Sequence, residues 1–347
     1  MNTRVALVGL GRAALEIWVP ALKKAGVTLI AGADPDVAAQ HAFARKVPDA
    51  ALHPSLPQLV GSHQSIDWLV VASPPALHQE HVLEGLVAGL HVLCEKPVAR
   101  SMTELDALLE ASAAAGKIVA VNHEFTRMPI LAETLSRLRA ETHGQLRFAQ
   151  VWQVVDDRGA DGWRARGQTM REFGTHAVDL LVEAYGGPPI QVTARMPPPP
   201  PGMQGDPIDL VTYEWADGRA AHLVLDRVSA GKHRYFEARF DCDQASLRAS
   251  IGGRAQVRVG LDPTKRRPTL SLDVAPGGIA WVEDGSDRSV YARNGLRALV
   301  DATAQLARET FGSSTPPTEL SRARSVVQAV EAAYRSARED RTVHIPS

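Results

Sequence analysis

In the first third of the chain, fully apolar runs alternate with stretches of helical spacing. Val5 to Val8, Thr28 to Ala33, Ile66 to Ala72, His91 to Cys94 and Lys117 to Val121 are short and apolar, which predicts strands buried on both faces. Helices are predicted from Ala14 onward, over Val37 to Lys46, around His78 to Ala88 and over Ser101 to Ala115, with a Pro-punctuated loop before Ile66. Strands separated by helices predict an α/β, doubly wound parallel sheet over residues 1–123.

After about Glu124 the period changes. Leu146 to Val155, Ile208 to Trp215, Ala220 to Val228 and Tyr235 to Phe240 alternate apolar with polar positions, as antiparallel strands with one solvated or partner-covered face do. Helices are predicted over Met128 to Glu141, Phe173 to Tyr185, Ala292 to Phe311 and Glu319 to Arg338, the last with an alanine-rich face. Residues 124–347 therefore form a second, α+β domain with a large, mostly antiparallel open sheet, and its last helix is expected to pack back on the first domain. Pro197 to Pro201, five prolines in a row, reads as an extended surface loop between strands.

Two domains suit 347 residues. Thirty-eight Lys plus Arg against 39 Asp plus Glu leave a net charge of -1, which argues against nucleic acid or a membrane surface as partner. Cys94 and Cys242 lie far apart and outside any C-x-x-C pattern, so no disulfide framework or metal site is expected. With a strand beginning by Val5 and no apolar run near the ~20 residues that span a bilayer, a cytoplasmic location is expected.

Candidate chemistry starts at Gly9-Leu10-Gly11-Arg12-Ala13-Ala14, between the first strand and the first helix. In this G-x-G-x-x-A turn the first glycine permits the reversal, the second lets a pyrophosphate approach, and the small Ala14 allows close helix–strand packing. Gly9, Gly11, Arg12 and Ala13 are thus candidate dinucleotide contacts, the phosphates lying on the helix N-terminus. The next strand ends in Asp34, where a carboxylate accepts from an adenosine ribose and repels a 2'-phosphate, so NAD is favoured over NADP. Ligands of such Rossmann-type sheets bind beyond the carboxyl ends of the strands, where Ser73 and Lys96 also fall.

The order GLGRAA, Asp34, SPPALH, Cys94-Glu95-Lys96-Pro97 and Glu172-Phe173-Gly174-Thr175-His176-Ala177-Val178-Asp179 resembles the Gfo/Idh/MocA family of NAD(P)-dependent oxidoreductases. So does the ending, Ala332 to Arg338 before a short strand from Val343 to Ile345. The resemblance implies that Lys96 contacts the reacting oxygen of a substrate, that His176 is the acid/base, and that Ser73, Pro74, His78 and Glu95 lie along the cofactor. An ammonium there stabilises developing negative charge, and an imidazole takes the hydroxyl proton near working pH. Glu172 stands where the family has Asp, and the usual glycines upstream are replaced by Gly167 to Arg171, which leaves the shape of the substrate loop open. Glu172, Arg171, Asn122 and Trp163 are the candidate substrate contacts, with His123, Glu124, Asp156, Arg158 and Arg164 nearby in sequence; Arg127 is not assigned, and Asp179 reads as buried structure.

The reading that results is an NAD(H)-dependent dehydrogenase or reductase acting on a secondary alcohol or ketone of a polyhydroxylated small molecule, a sugar or cyclitol. The resemblance also implies a homodimer or homotetramer through the antiparallel sheet. Two alternatives stay open: a dinucleotide-binding sensor or scaffold, and an enzyme that uses bound NAD transiently in a redox-neutral reaction.

Overall fold

The computed structural model describes residues 3–62, 65–158, 168–230, 235–252, 254–262, 267–275, 277–285, 287–312 and 319–346. Six strands, β1 (Arg4–Val8), β2 (Thr28–Ala33), β3 (Ala51–His53), β4 (Trp68–Val71), β5 (His91–Glu95) and β6 (Val119–Asn122), form one parallel sheet in the order β3-β2-β1-β4-β5-β6. The order reverses beside β1, so the carboxyl ends of β1 and β4 flank a crevice.

The crossover helices are α1 (Val19–Ala25), α2 (Val37–Ala44), α3 (Leu56–Ser62), α4 (His78–Val87) and α5 (Met102–Ala115). Asp36 caps α2 by accepting from Ala38 N at 2.8 Å, and Ser101 caps α5 by accepting from Glu104 N at 3.2 Å. The loop expected before Ile66 in fact holds β3 and α3. Three partly buried residues make a strand too short to show a period, and Pro57 is tolerated because it sits in the first turn of α3.

After α6 (Pro129–Arg139), a second sheet is built from β7 (Leu146–Val154), β8 (Gln191–Arg195), β9 (Ile208–Glu214), β10 (Ala220–Asp226), β11 (Tyr235–Cys242) and β12 (Ser246–Ile251). A hairpin, β13 (Arg254–Asp262) with β14 (Arg267–Ala275), stands apart, and β15 (Ile279–Asp284), β16 (Asp287–Arg293) and the closing β17 (Val343–His344) complete the sheet. Its nine strands run β16-β15-β12-β11-β7-β10-β9-β8-β17, antiparallel except where β10 lies parallel to β7. Along β9 and β10 buried positions alternate with half-buried or exposed ones, as the polar/apolar alternation predicts. The Pro197 to Pro201 run lies in the connection from β8 to β9.

Helix α7 (Thr175–Tyr185) lies in the core of the second sheet, while α8 (Ala298–Gly312) and α9 (Glu319–Glu339) fasten the two sheets together. Leu306 and Ala307 of α8 share a core with Val5 and Leu7, and Ala323 and Val327 of α9 share one with Val119 and Val121. Both helices, not the last alone, therefore pack back on the first sheet. The helix predicted from Ala292 begins at Ala298, because Ala292 pairs with Ala280 in the β15–β16 ladder.

Candidate active site

Gly9 has φ +84°, and a Cβ on it would stand 2.4 Å from Ser73 N. The glycine turn is thus pressed against the segment just past β4. At Gly11 an added Cβ would meet nothing within 4 Å, so that side of the turn is open to an approaching group. The helix that follows passes through a π turn at Ala14–Trp18 before α1, and no side chain caps its start. Ala13 is half-buried; Arg12 is exposed and pairs with Glu16 at 2.8 Å. Asp34 Oδ2 accepts from Leu10 N at 2.7 Å and its Oδ1 from Asp36 N at 2.8 Å. The carboxylate that the sequence marks for a ribose therefore also tethers the glycine turn; two oxygens with about four acceptor directions leave capacity for both. An open glycine face, a helix start without a side-chain cap and an adjacent carboxylate fit a dinucleotide.

The second part of the site lies beyond β5. Glu95 Oε1 accepts from Trp18 Nε1 at 2.8 Å and from Asn122 Nδ2 at 3.0 Å, which locks the strand end that carries Lys96. Lys96 precedes a cis peptide bond to Pro97 and donates from Nζ to the backbone oxygen of Glu172 at 2.8 Å. Glu172 sits on a π turn, Met170–Gly174, that runs directly into α7. His176, one turn further, is 6% exposed and stacked on Phe125, ring centroids 3.8 Å apart at 14°. The structure thus brings Lys96 to the turn that carries Glu172 and runs into the helix of His176.

Other candidates are committed elsewhere. His78 is buried with Nδ1 2.7 Å from Pro97 O and Nε2 2.8 Å from Ser73 O. Both ring nitrogens face backbone carbonyls, so His78 straps the Ser73 loop to the Lys96-Pro97 turn. Burial lowers its pKa, partly offset by those two carbonyls. Ser73 is buried and its Oγ lies 2.9 Å from His81 Nδ1, while Pro74 is exposed. Asn122 is 1% exposed and its Nδ2 donates to Glu95, which braces the lysine strand. Arg171 lies over the Tyr334 ring, 4.7 Å from its centroid. Trp163 and Arg164 lie outside the described residues.

Glu172, a candidate substrate contact, has Oε2 3.5 Å from Nη1 of Arg227. Arg227 lies just past β10, is buried, and also bonds Asp157 at 3.0 Å. Asp179 is 1% exposed and paired with Arg322 of α9, which also donates to Thr126 at 2.9 Å. His123 lies 3.7 Å from Asp179, and burial lowers its pKa to about 4. Glu124 is buried, and burial first, then the charge of Glu95, pushes it up to about 8, Lys96 pulling the other way. Arg227, Arg322 and Glu95 as a brace were not anticipated, since each acts through a partner more than 50 residues away.

A doubly wound sheet with a glycine turn at its switch point defines a dinucleotide-binding protein of the Rossmann class. Residues 3–123 match the sequence profile of the Gfo/Idh/MocA oxidoreductase family, NAD-binding Rossmann fold. A protein of Amycolatopsis mediterranei (strain S699), provisionally named UDP-kanosamine synthase oxidoreductase subunit, is 33% identical over 196 residues, 54% of this chain and 52% of that one. D-glucoside 3-dehydrogenase of Escherichia coli (strain K12) is 27% identical over 54% of this chain and 55% of its own. These matches span about half of each relative, whereas scyllo-inositol 2-dehydrogenase (NADP(+)) IolW of Bacillus subtilis (strain 168) is 24% identical over 86% of this chain and 84% of its own. The fold is that of levoglucosan dehydrogenase in its complex with NADH and levoglucosan: TM-score 0.80 over 100% of both chains at 16% identity. Among the described residues no helix is long and apolar enough to cross a membrane, and no cluster of three metal-ligating side chains occurs.

Proposed function

We propose that the chain is an NAD(H)-dependent oxidoreductase acting on a secondary alcohol or ketone of a sugar, cyclitol or sugar derivative in the cytoplasm. The observation that carries this reading is the Lys96 ammonium held 2.8 Å from the Glu172 carbonyl, one turn before His176. The named relatives and the levoglucosan-bound neighbour support the substrate class. When bound, the nicotinamide supplies a hydride acceptor or donor.

The chain's own residues do the rest. Gly9, Gly11 and Asp34 hold the dinucleotide, with Arg12 and Ala13 beside the diphosphate. Glu95, braced by Trp18 and Asn122, aims Lys96. An ammonium has three N–H donors, and a substrate oxygen placed there gains stabilisation as it becomes an alkoxide. His176, packed on Phe125, takes or returns the hydroxyl proton. Glu172 and Arg227 wall the site on the sheet side. The half-buried positions of the nine-stranded sheet, Trp152 and His222 among them, serve a second copy in a homodimer or homotetramer.

Turnover of myo-inositol, scyllo-inositol, D-glucose and levoglucosan with NAD, compared between wild type and Lys96→Ala, tests this reading. Loss of the ammonium should lower turnover about 100-fold or more while NADH still binds. Near-normal turnover in Lys96→Ala would sink the mechanism.

A further inference from the structure

The helix that carries Glu172 and His176 does not begin on its own residues. Thr169 N donates to Asp206 Oδ1 at 3.0 Å and Met170 N to Asp206 Oδ2 at 3.3 Å, so a carboxylate 37 residues away closes the helix start. Tyr334 of α9 donates to the same carboxylate at 2.7 Å. Asp206 is 7% exposed and lies in the connection that leads into β9.

Behind it stands Asp209, on β9 and 0% exposed. Neither of its oxygens receives a hydrogen bond from a donor among the described residues. The bond open to it is therefore one it donates itself, toward Asp206, and that requires a proton on Asp209. The groups facing the pair are Arg227 from beyond β10, Tyr213 from β9 and Tyr334 from α9, the last with Arg171 of the site helix beside it. Arg227 is already engaged by Asp157 and Glu172, and Arg171 lies over the Tyr334 ring. Two ionised carboxylates in this place would repel each other in low dielectric.

We propose that Asp206, with Asp209 holding a proton against it, is a positioning residue for the site helix: it fixes the turn that carries Glu172 and leads into the helix of His176 while the pair shares one proton, and releases it when both carboxyls ionise. Burial, then the Asp206 charge and the hydrogen bond to it, push Asp209 up to about 9, so release falls on the alkaline side. The consequence for catalysis rests on the site reading above; the release itself does not.

The test is millisecond-resolved amide exchange of the segment 168–176, corrected for intrinsic rates, between pH 7 and 10 in wild type, Asp209→Asn and Asp206→Ala. Asparagine reproduces the neutral, donating form of Asp209 and cannot ionise. Wild type should lose protection at least about tenfold as pH rises through about 9, Asp209→Asn should keep it throughout, and Asp206→Ala should lack it at every pH. Loss in Asp209→Asn at the same pH as wild type, or full protection in Asp206→Ala, would overturn the proposal. NADH titration of each variant reports separately on the dinucleotide site and on whether the variant is folded. Failure of the dehydrogenase reading is thus distinguishable from failure of this one.

Discussion

The molecule has two helix starts with the same local irregularity and opposite fates. Each opens with a π turn, Ala14–Trp18 after the glycine loop and Met170–Gly174 before α7. The first has no side-chain cap and an open Gly11 face, whereas the second gives its Thr169 and Met170 N–H groups to Asp206. Unpaired N–H groups at a helix start attract an anion, and paired ones cannot. The comparison therefore separates a proposed binding element, the first helix start, from a proposed positioning element, the second, which leads to Glu172 and His176.

The sharpest way to break the contrast is at the two glycines of the first start. Gly9→Ala should destabilise the protein by about 3 kcal/mol or more, because positive φ and a 2.4 Å approach to Ser73 N act together; denaturant unfolding reads this directly. An unchanged midpoint would mean the turn is not packed as described. At the second start, Arg227→Met leaves Asp157 and Glu172 without their buried cation and should cost about 3 kcal/mol, again by denaturant midpoint.

A smaller effect comes from Glu124, between the two starts. The native state keeps its proton up to about 8, while an unfolded glutamate releases it near 4.3, so native protons exceed unfolded ones across that window. Stability should therefore fall as pH rises from about 4.3 to about 8. Glu124→Gln should flatten that decline, measured by thermal unfolding across pH. A variant with the wild-type slope would place Glu124 outside this coupling.

What the sequence makes legible follows the same division. The glycine turn declares itself because its chemistry is local: Gly9, Gly11 and Ala14 lie within six residues, and Asp34 ends the next strand. The strands of the first sheet are legible because burial on both faces makes them apolar throughout. Lys96 and His176 are found by resemblance, yet their supports are not, since Glu95 meets Trp18 across 77 residues and Arg227 meets Glu172 across 55. No period or spacing rule connects such pairs. His78 and Asn122 show the same limit: the sequence marks each as a candidate contact, while the carbonyl that His78 meets and the Glu95 carboxylate that Asn122 donates to become visible only in the fold. Strand β3 and helix α3 are missed because a three-residue strand has no measurable alternation.

The central claim, that the first helix start is an open dinucleotide site, is tested most directly by NADH titration of Gly11→Ala, followed by nicotinamide fluorescence and set beside wild type and NADPH. A Cβ at Gly11 meets nothing within 4 Å of the protein, so the variant should fold and melt as wild type does. NADH should bind wild type in preference to NADPH, and Gly11→Ala should bind it at least about tenfold more weakly, because the methyl occupies the space of the diphosphate. Equal NADH affinity in Gly11→Ala and wild type would contradict the account.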